Sequence, residues 1–115
     1  MRALRGYEKA LGAEHTSTLN TVNNLGVLYE NQGKIAEAEA MYVQALQGYE
    51  KALGAKHTST LDTANNLGVL YEDQGKMAEA EAMYLRALQG YKNAVAADHP
   101  RTRVIARNLN TLRTS

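Results

Sequence analysis

The sequence predicts an all-α fold, a solenoid of helical hairpins that repeat along the chain. The chain repeats every 42 residues, and 34 of the 42 residues at 3–44 recur unchanged at 45–86. Within each unit, apolar residues recur at three- and four-residue spacings, the period of a helix buried on one side. One proline and no cysteine in 115 residues favour long helices and exclude a disulfide scaffold. Units of this length are typical of stacked repeats that bury their apolar faces against one another.

Each unit contains two predicted helices, a first helix A and a second helix B. Leu19, Val22 and Leu25 form the apolar stripe of the first helix A, and Gly33 follows where a helix ends in a left-handed residue. A second stripe begins at Ile35 and predicts the first helix B. The predicted bounds are 17–32 and 35–53 for the first unit, 59–74 and 77–95 for the second, and 101–113 for a last A-type helix. Residues 2–11 match the second half of a helix B.

Composition limits the class of protein. With 115 residues the chain is expected to form a single domain over 1–115. Apolar residues make up 44%, charged residues 22%, and the net charge is +1, which predicts a packed soluble fold without a charge-based preference for nucleic acid or membrane. No apolar run approaches the ~18 residues of a membrane span, and no signal-type N-terminus is present. We expect a cytoplasmic location.

The motif within each unit resembles the tetratricopeptide repeat. Val22-Asn-Asn-Leu25-Gly26-Val-Leu-Tyr29, followed by Ala38 and Tyr42, has the spacing of W-x₂-L-G-x₂-Y…A-x₃-F, with valine in place of tryptophan and tyrosine in place of phenylalanine. The unit is 42 residues long instead of 34, and this long form resembles the repeats of kinesin light chain. The resemblance implies a right-handed superhelix whose A helices line the concave side. It also implies a scaffold that binds other proteins.

The A helices carry many asparagines on one side. At 100° per residue, the polar side chains of the first A helix fall on one arc of about 120°, opposite much of the apolar stripe. Asparagine costs ~0.5 kcal/mol or more relative to alanine in a helix, so several on one face call for a reason. An amide both donates and accepts hydrogen bonds, and it can pair with the backbone of an extended peptide. The sequence therefore predicts a peptide-binding face made of Asn20, Asn23, Asn24, Val27, Asp62, Asn65, Asn66, Val69, Arg107 and Asn108.

Other interpretations of this face stay open. Asn24, Asn66 and Asn108 lie at the edge of the arc, where they either bond neighbouring helices as a ladder between repeats or contact a ligand. The stronger ligand candidates, nearer the centre of the arc, are Asn23, Asn65 and Arg107. A solvated face that binds nothing is the third interpretation.

No pattern in the sequence indicates catalysis, a metal site or a cofactor. His15, His57 and His99 recur every 42 residues, but equivalent positions in stacked repeats lie ~10 Å apart, against metal–ligand bonds of ~2 Å. We interpret them as turn residues before the A helices, with Ser17 and Ser59 in a capping context. Carboxylates two residues apart on a helix point in different directions. No enzymatic activity, metal or cofactor is expected.

The two ends of the chain differ in polarity. Arg103 stands where Leu19 and Leu61 stand in the earlier units, which gives the last helix the polar outer face of a terminal repeat. Residues 2–11 supply half a helix B without the helix A that would precede it. We expect a C-terminal piece of a longer array, with an apolar N-terminal end through which a homodimer forms.

Taken alone, the sequence predicts a protein–protein interaction scaffold that binds a peptide or a partner protein in a groove lined by A helices. The alternative is a structural spacer or self-association segment of a larger multidomain protein, with no ligand in the groove. Neither nucleic acid nor membrane is expected as a partner.

Overall fold

The computed structural model describes residues 15–94 and 99–114, which form five helices and no strand. The helices are α1 (Thr16–Asn31), α2 (Ile35–Leu53), α3 (Thr58–Asp73), α4 (Met77–Ala94) and α5 (Pro100–Arg113). The all-α fold is confirmed, and the described helix ends differ from the predicted ones by no more than one residue. The predicted half helix over 2–11 lies outside the described residues.

Each helix packs against the next helix along the chain. The A helices α1 and α3 pack against the B helices α2 and α4 of the same unit, and α2 and α4 pack in turn against the A helix that follows. The A helices α3 and α5 also contact each other directly. This order places the A helices side by side along the array.

Histidines cap the N-termini of the three A helices. The Nδ1 atom of His15 accepts the backbone N–H of Ser17 at 3.1 Å, and His57 and His99 repeat this bond with the residue two positions later. The bond satisfies one of the helix N–H groups that would otherwise lack an acceptor. The interpretation of the histidines as turn residues is confirmed. The predicted capping role of Ser17 and Ser59 is corrected, because each serine supplies its backbone N–H and the histidine ring is the cap.

The turn inside each unit depends on a left-handed glycine. Gly33 has a φ of 77° and Gly75 a φ of 79°, a conformation that side chains with a Cβ adopt at a cost. The N–H of Lys34 then donates to the carbonyl of Tyr29 at 2.8 Å and closes the end of α1. Helix B therefore begins only four residues after helix A ends.

A glycine in each A helix lets the two helices of a unit approach closely. A Cβ placed at Gly26 would lie 2.6 Å from Cε1 of Tyr42, and Gly68 faces Tyr84 in the same way. The tyrosine rings fill this space and are 1% exposed. The main core continues from α2 through α5, and a smaller cluster of Leu19, Val22, Ala45 and Tyr49 joins α1 to α2.

The last helix is polar where the earlier A helices are buried. Leu19 and Leu61 are 1% exposed and contact Gly48 and Gly90 of the helix that follows, whereas Arg103 is exposed. Asn110, at the position of Gly26, is also exposed. The A-helix face therefore ends on a helix with a polar outer side.

Candidate protein-binding surface

The ten predicted residues form what we call the A-helix face: Asn20, Asn23, Asn24, Val27, Asp62, Asn65, Asn66, Val69, Arg107 and Asn108. They lie on α1, α3 and α5, whose order in the array brings them side by side. Some of them bond the helices together, some bond to tyrosines, and Asn24, Val27 and Arg107 are exposed.

Amide pairs connect successive A helices. Oδ1 of Asn23 accepts from Nδ2 of Asn66 at 3.3 Å and from Oγ1 of Thr63 at 3.2 Å. One unit further on, Oδ1 of Asn65 accepts from Nδ2 of Asn108 at 3.3 Å. Asn65 is only 6% exposed. Asn66 and Asn108 thus form the ladder between repeats. Their partners, Asn23 and Asn65, are two of the three residues that the sequence favoured as ligand contacts.

Asn20 and Asp62 bond to tyrosines of the adjoining B helices. The hydroxyl of Tyr49 donates to Oδ1 of Asn20, and the hydroxyl of Tyr91 donates to Oδ1 of Asp62 at 2.5 Å. Nε of Arg101 lies 3.4 Å from the same Asp62 oxygen. Burial, the hydrogen bond and the Asp62 charge raise the pKa of Tyr91 well above its ordinary value, and Arg101 partly opposes the rise. Asn20 and Asp62 therefore each use one side-chain oxygen in a bond within the chain.

The remaining members of the face are Asn24, Val27, Val69 and Arg107, three of which are exposed. Asn24 and Arg107 are exposed, and Val27 is 38% exposed. Val69, which stands at the position of Val27 in the second unit, is half-buried and packs against the main core. An amide, an apolar and a cationic side chain are therefore accessible on helices held together by the amide pairs.

Sequence reasoning missed a pair of bonds at the ends of α1 and α3. The hydroxyl of Tyr42 donates to Oε1 of Glu30 at 2.8 Å, and Tyr84 donates to Glu72 at the same distance. Burial, followed by the hydrogen bond to the carboxylate, raises the pKa of both tyrosines well above the ordinary value. The signal was present, since a glutamate precedes a tyrosine by twelve residues in both units.

A family model of the tetratricopeptide repeat matches residues 1–51, 19–93 and 59–112 of the chain. The chain belongs to the tetratricopeptide repeat family. The predicted resemblance is thereby confirmed. Tetratricopeptide repeats generally mediate protein–protein interaction.

Two solved tetratricopeptide-type structures share the fold. The crystal structure of BtubC (BKLC) from P. vanneervenii has a TM-score of 0.90 and 24% identity, and the match covers 97% of this chain and 45% of that one. A putative kinesin light chain from Podospora anserina, with nearly identical TPR-like repeats, has a TM-score of 0.88 and 22% identity over 96% of this chain and 53% of that one. The tetratricopeptide chain described here thus spans about half the length of each, and no curated protein matches it.

The described residues contain neither a cluster of metal ligands nor a helix that could span a membrane. Within residues 15–94 and 99–114, no three His, Cys, Asp or Glu side chains come together as metal ligands. None of the five described helices combines the length and the apolar character needed to cross a membrane.

Proposed function

We propose that the chain is a scaffold that binds an extended peptide or a partner protein on its A-helix face. The observation that carries this proposal is the row of amide pairs between α1, α3 and α5. They hold neighbouring A helices in register and so pre-organise the exposed residues Asn24, Val27 and Arg107. Pre-organisation lowers the entropy lost on binding, which is how a rigid helical surface gains affinity.

The chemistry of the face suits a peptide backbone. An amide can make four hydrogen bonds, and the bond within each pair uses one group from each partner. The exposed Asn24 adds a further donor and acceptor, and Arg107 adds a cation that pairs with a carboxylate or a chain terminus. Val27 supplies an apolar contact beside them.

The test replaces only the exposed residues, because alanine at Asn23 or Asn65 would also break a bond between helices. Peptides that bind the chain are selected from a displayed library of random sequences. Their affinity is then measured for the triple variant Asn24→Ala, Val27→Ala, Arg107→Ala. A loss of at least tenfold, about 1.4 kcal/mol, is expected, with little change in thermal stability.

The matched control changes exposed residues of the B helices, Gln47→Ala and Lys92→Ala, and should leave affinity unchanged. If the triple variant binds as tightly as the original chain, the selected peptides use another surface, and the A-helix face is not the site.

Self-association is the second candidate function, and one observation favours it. Leu28 of α1 is 49% exposed. Its equivalent in α3, Leu70, is fully buried in the main core, to which α2 also contributes side chains. A second copy that covers this side of α1 would remove the apolar surface from water.

Sedimentation velocity at micromolar concentrations tests this second candidate. We expect a concentration-dependent dimer that the single variant Leu28→Lys returns to monomer. A chain that stays monomeric at high micromolar concentration would exclude self-association through α1.

A further inference from the structure

A cavity of about 470 Å³ lies between α4 and the turn that joins α2 to α3. Ala82 and Leu85 of α4 supply its accessible apolar wall beside the buried Leu61, and Lys56 of the turn and Arg86 of α4 supply two cations. Among the described residues that line it, none is acidic and none belongs to the A-helix face. Its volume falls within the ~300–1,000 Å³ of pockets that hold small ligands or side chains.

The comparison of the two units points to this cavity. The units differ at eight positions, and three of the second unit's differing residues, Lys56, Leu85 and Arg86, line the cavity. The first unit has Glu14, Val43 and Gln44 at these positions. The second unit therefore replaces one negative charge with two positive charges and enlarges an apolar side chain, while the rest of the repeat stays almost the same.

The two cations keep donors for a ligand. Nη2 of Arg86 lies 2.5 Å from Oε2 of Glu50, but a guanidinium carries five N–H groups, and one ion pair does not occupy them all. Lys56 lies on the exposed turn. Gln89 and Asn93 of α4 add amide groups on the same lining. The site combines an apolar wall with a cationic rim.

We propose that this cavity binds a segment of a partner protein in which an acidic residue adjoins a leucine-sized apolar residue. The apolar side chain packs against Ala82 and Leu85, and the carboxylate pairs with Lys56 and Arg86. An ion pair between a carboxylate and a guanidinium is short and directional, which fixes the orientation of the segment. This surface is separate from the A-helix face, so the chain carries two binding sites.

A titration followed by amide chemical shifts tests the proposal on the whole chain. The probe is a short acetylated and amidated peptide with two leucines and two glutamates, and the matched peptide has glutamine in place of glutamate. The glutamate peptide is expected to shift the amides of Ala55, Leu85 and Gly90, and to bind at least tenfold more tightly than the glutamine peptide.

Variants taken from the first unit provide matched controls. The double variant Lys56→Glu, Arg86→Gln gives the second unit the residue types that the first unit has at Glu14 and Gln44. Because the first unit already contains them, we expect the variant to fold. Its affinity for the glutamate peptide should fall at least tenfold. Glu50→Gln removes the carboxylate that competes for Arg86 and should strengthen binding severalfold. Gln47→Ala, at an exposed position of α2 that does not line the cavity, should have no effect.

Four results would overturn the proposal. They are no binding of the glutamate peptide up to millimolar concentration, equal binding of the two peptides, shifts that map to the A-helix face, or the same shifts produced by inorganic phosphate alone. The last result would show that the cations bind any anion and that the apolar wall takes no part.

Discussion

At the scale of single residues, three tyrosine hydroxyls connect the helices of a unit through bonds to carboxylates. Tyr42, Tyr84 and Tyr91 are buried, and each donates its hydroxyl proton to a carboxylate of the A helix in its own unit. A buried tyrosine needs such an acceptor, because a hydroxyl without a partner costs free energy in an apolar environment. The bonds thus tie each helix B to its helix A, and together with burial, which is the larger cause, they raise the pKa of the three tyrosines.

The raised pKa values predict a loss of stability at alkaline pH. The ordinary pKa of tyrosine is 10.0, and burial raises that of Tyr42 and Tyr84 above it. A raised pKa in the folded state means that the stability linked to these groups is fully present below pH 10 and is lost as pH rises through the folded pKa. Urea melts followed by circular dichroism should show a free energy of unfolding that falls above this pH.

The double variant Tyr42→Phe, Tyr84→Phe is the control. It should be less stable near neutral pH by about 1.5–3 kcal/mol for each hydrogen bond to a carboxylate. Its alkaline loss should be smaller than that of the original chain. Equal alkaline slopes for the two chains would show that these tyrosines are not the source.

At the scale of helices, close contact decides where glycine is needed. Gly68 lies inside α3, where alanine would be the better helix former by ~1 kcal/mol. The added methyl would lie 2.6 Å from Cε1 of Tyr84, whose ring is held by the bond to Glu72. The ring cannot move without breaking that bond, so α3 and α4 would separate.

We therefore expect Gly68→Ala to destabilise the chain, because overpacking of a core costs about 1–3 kcal/mol and exceeds the gain in helix propensity. The substitution Ala40→Gly, at an exposed position inside α2, measures the propensity term alone and should cost ~1 kcal/mol. A Gly68→Ala chain as stable as the original in urea melts would mean that the helices adjust to the methyl without loss.

The helices themselves could be predicted, but several contacts could not. The apolar spacing of three and four residues and the glycines at helix ends place α1 to α5 almost completely, because both signals are local. The histidine caps depend on ring orientation, and histidine is not among the residues that usually cap helices. Helical phase predicts that Asn23 and Asn66 lie on one side of their helices. It does not predict that they meet, since that depends on the offset between α1 and α3.

At the scale of the whole molecule, the array is held together by contacts between neighbours. The main core passes from α2 through α5, so each unit depends on the next for part of its buried surface. Stability in such an array is close to a sum of terms for each unit and each interface. The amide pairs contribute to the interface terms. The free energy that they contribute decides whether the A-helix face mainly joins the units or is available to a ligand.

A double-mutant cycle on Asn65 and Asn108 measures this interface term. Asn65 is 6% exposed and bonds to Asn108 at 3.3 Å, so alanine at either position leaves the other amide without this partner. We expect a coupling energy of about 0.5–1.5 kcal/mol in urea melts, the usual net value of a hydrogen bond. The cycle on Asn24 and Asn108, residues two units apart, should be additive within ~0.5 kcal/mol. If the Asn65–Asn108 cycle is also additive, the bond between these two amides adds no coupling energy to folding, and a ligand could replace it without loss of stability. A measured coupling would instead leave ligand recognition on the A-helix face to Asn24, Val27 and Arg107.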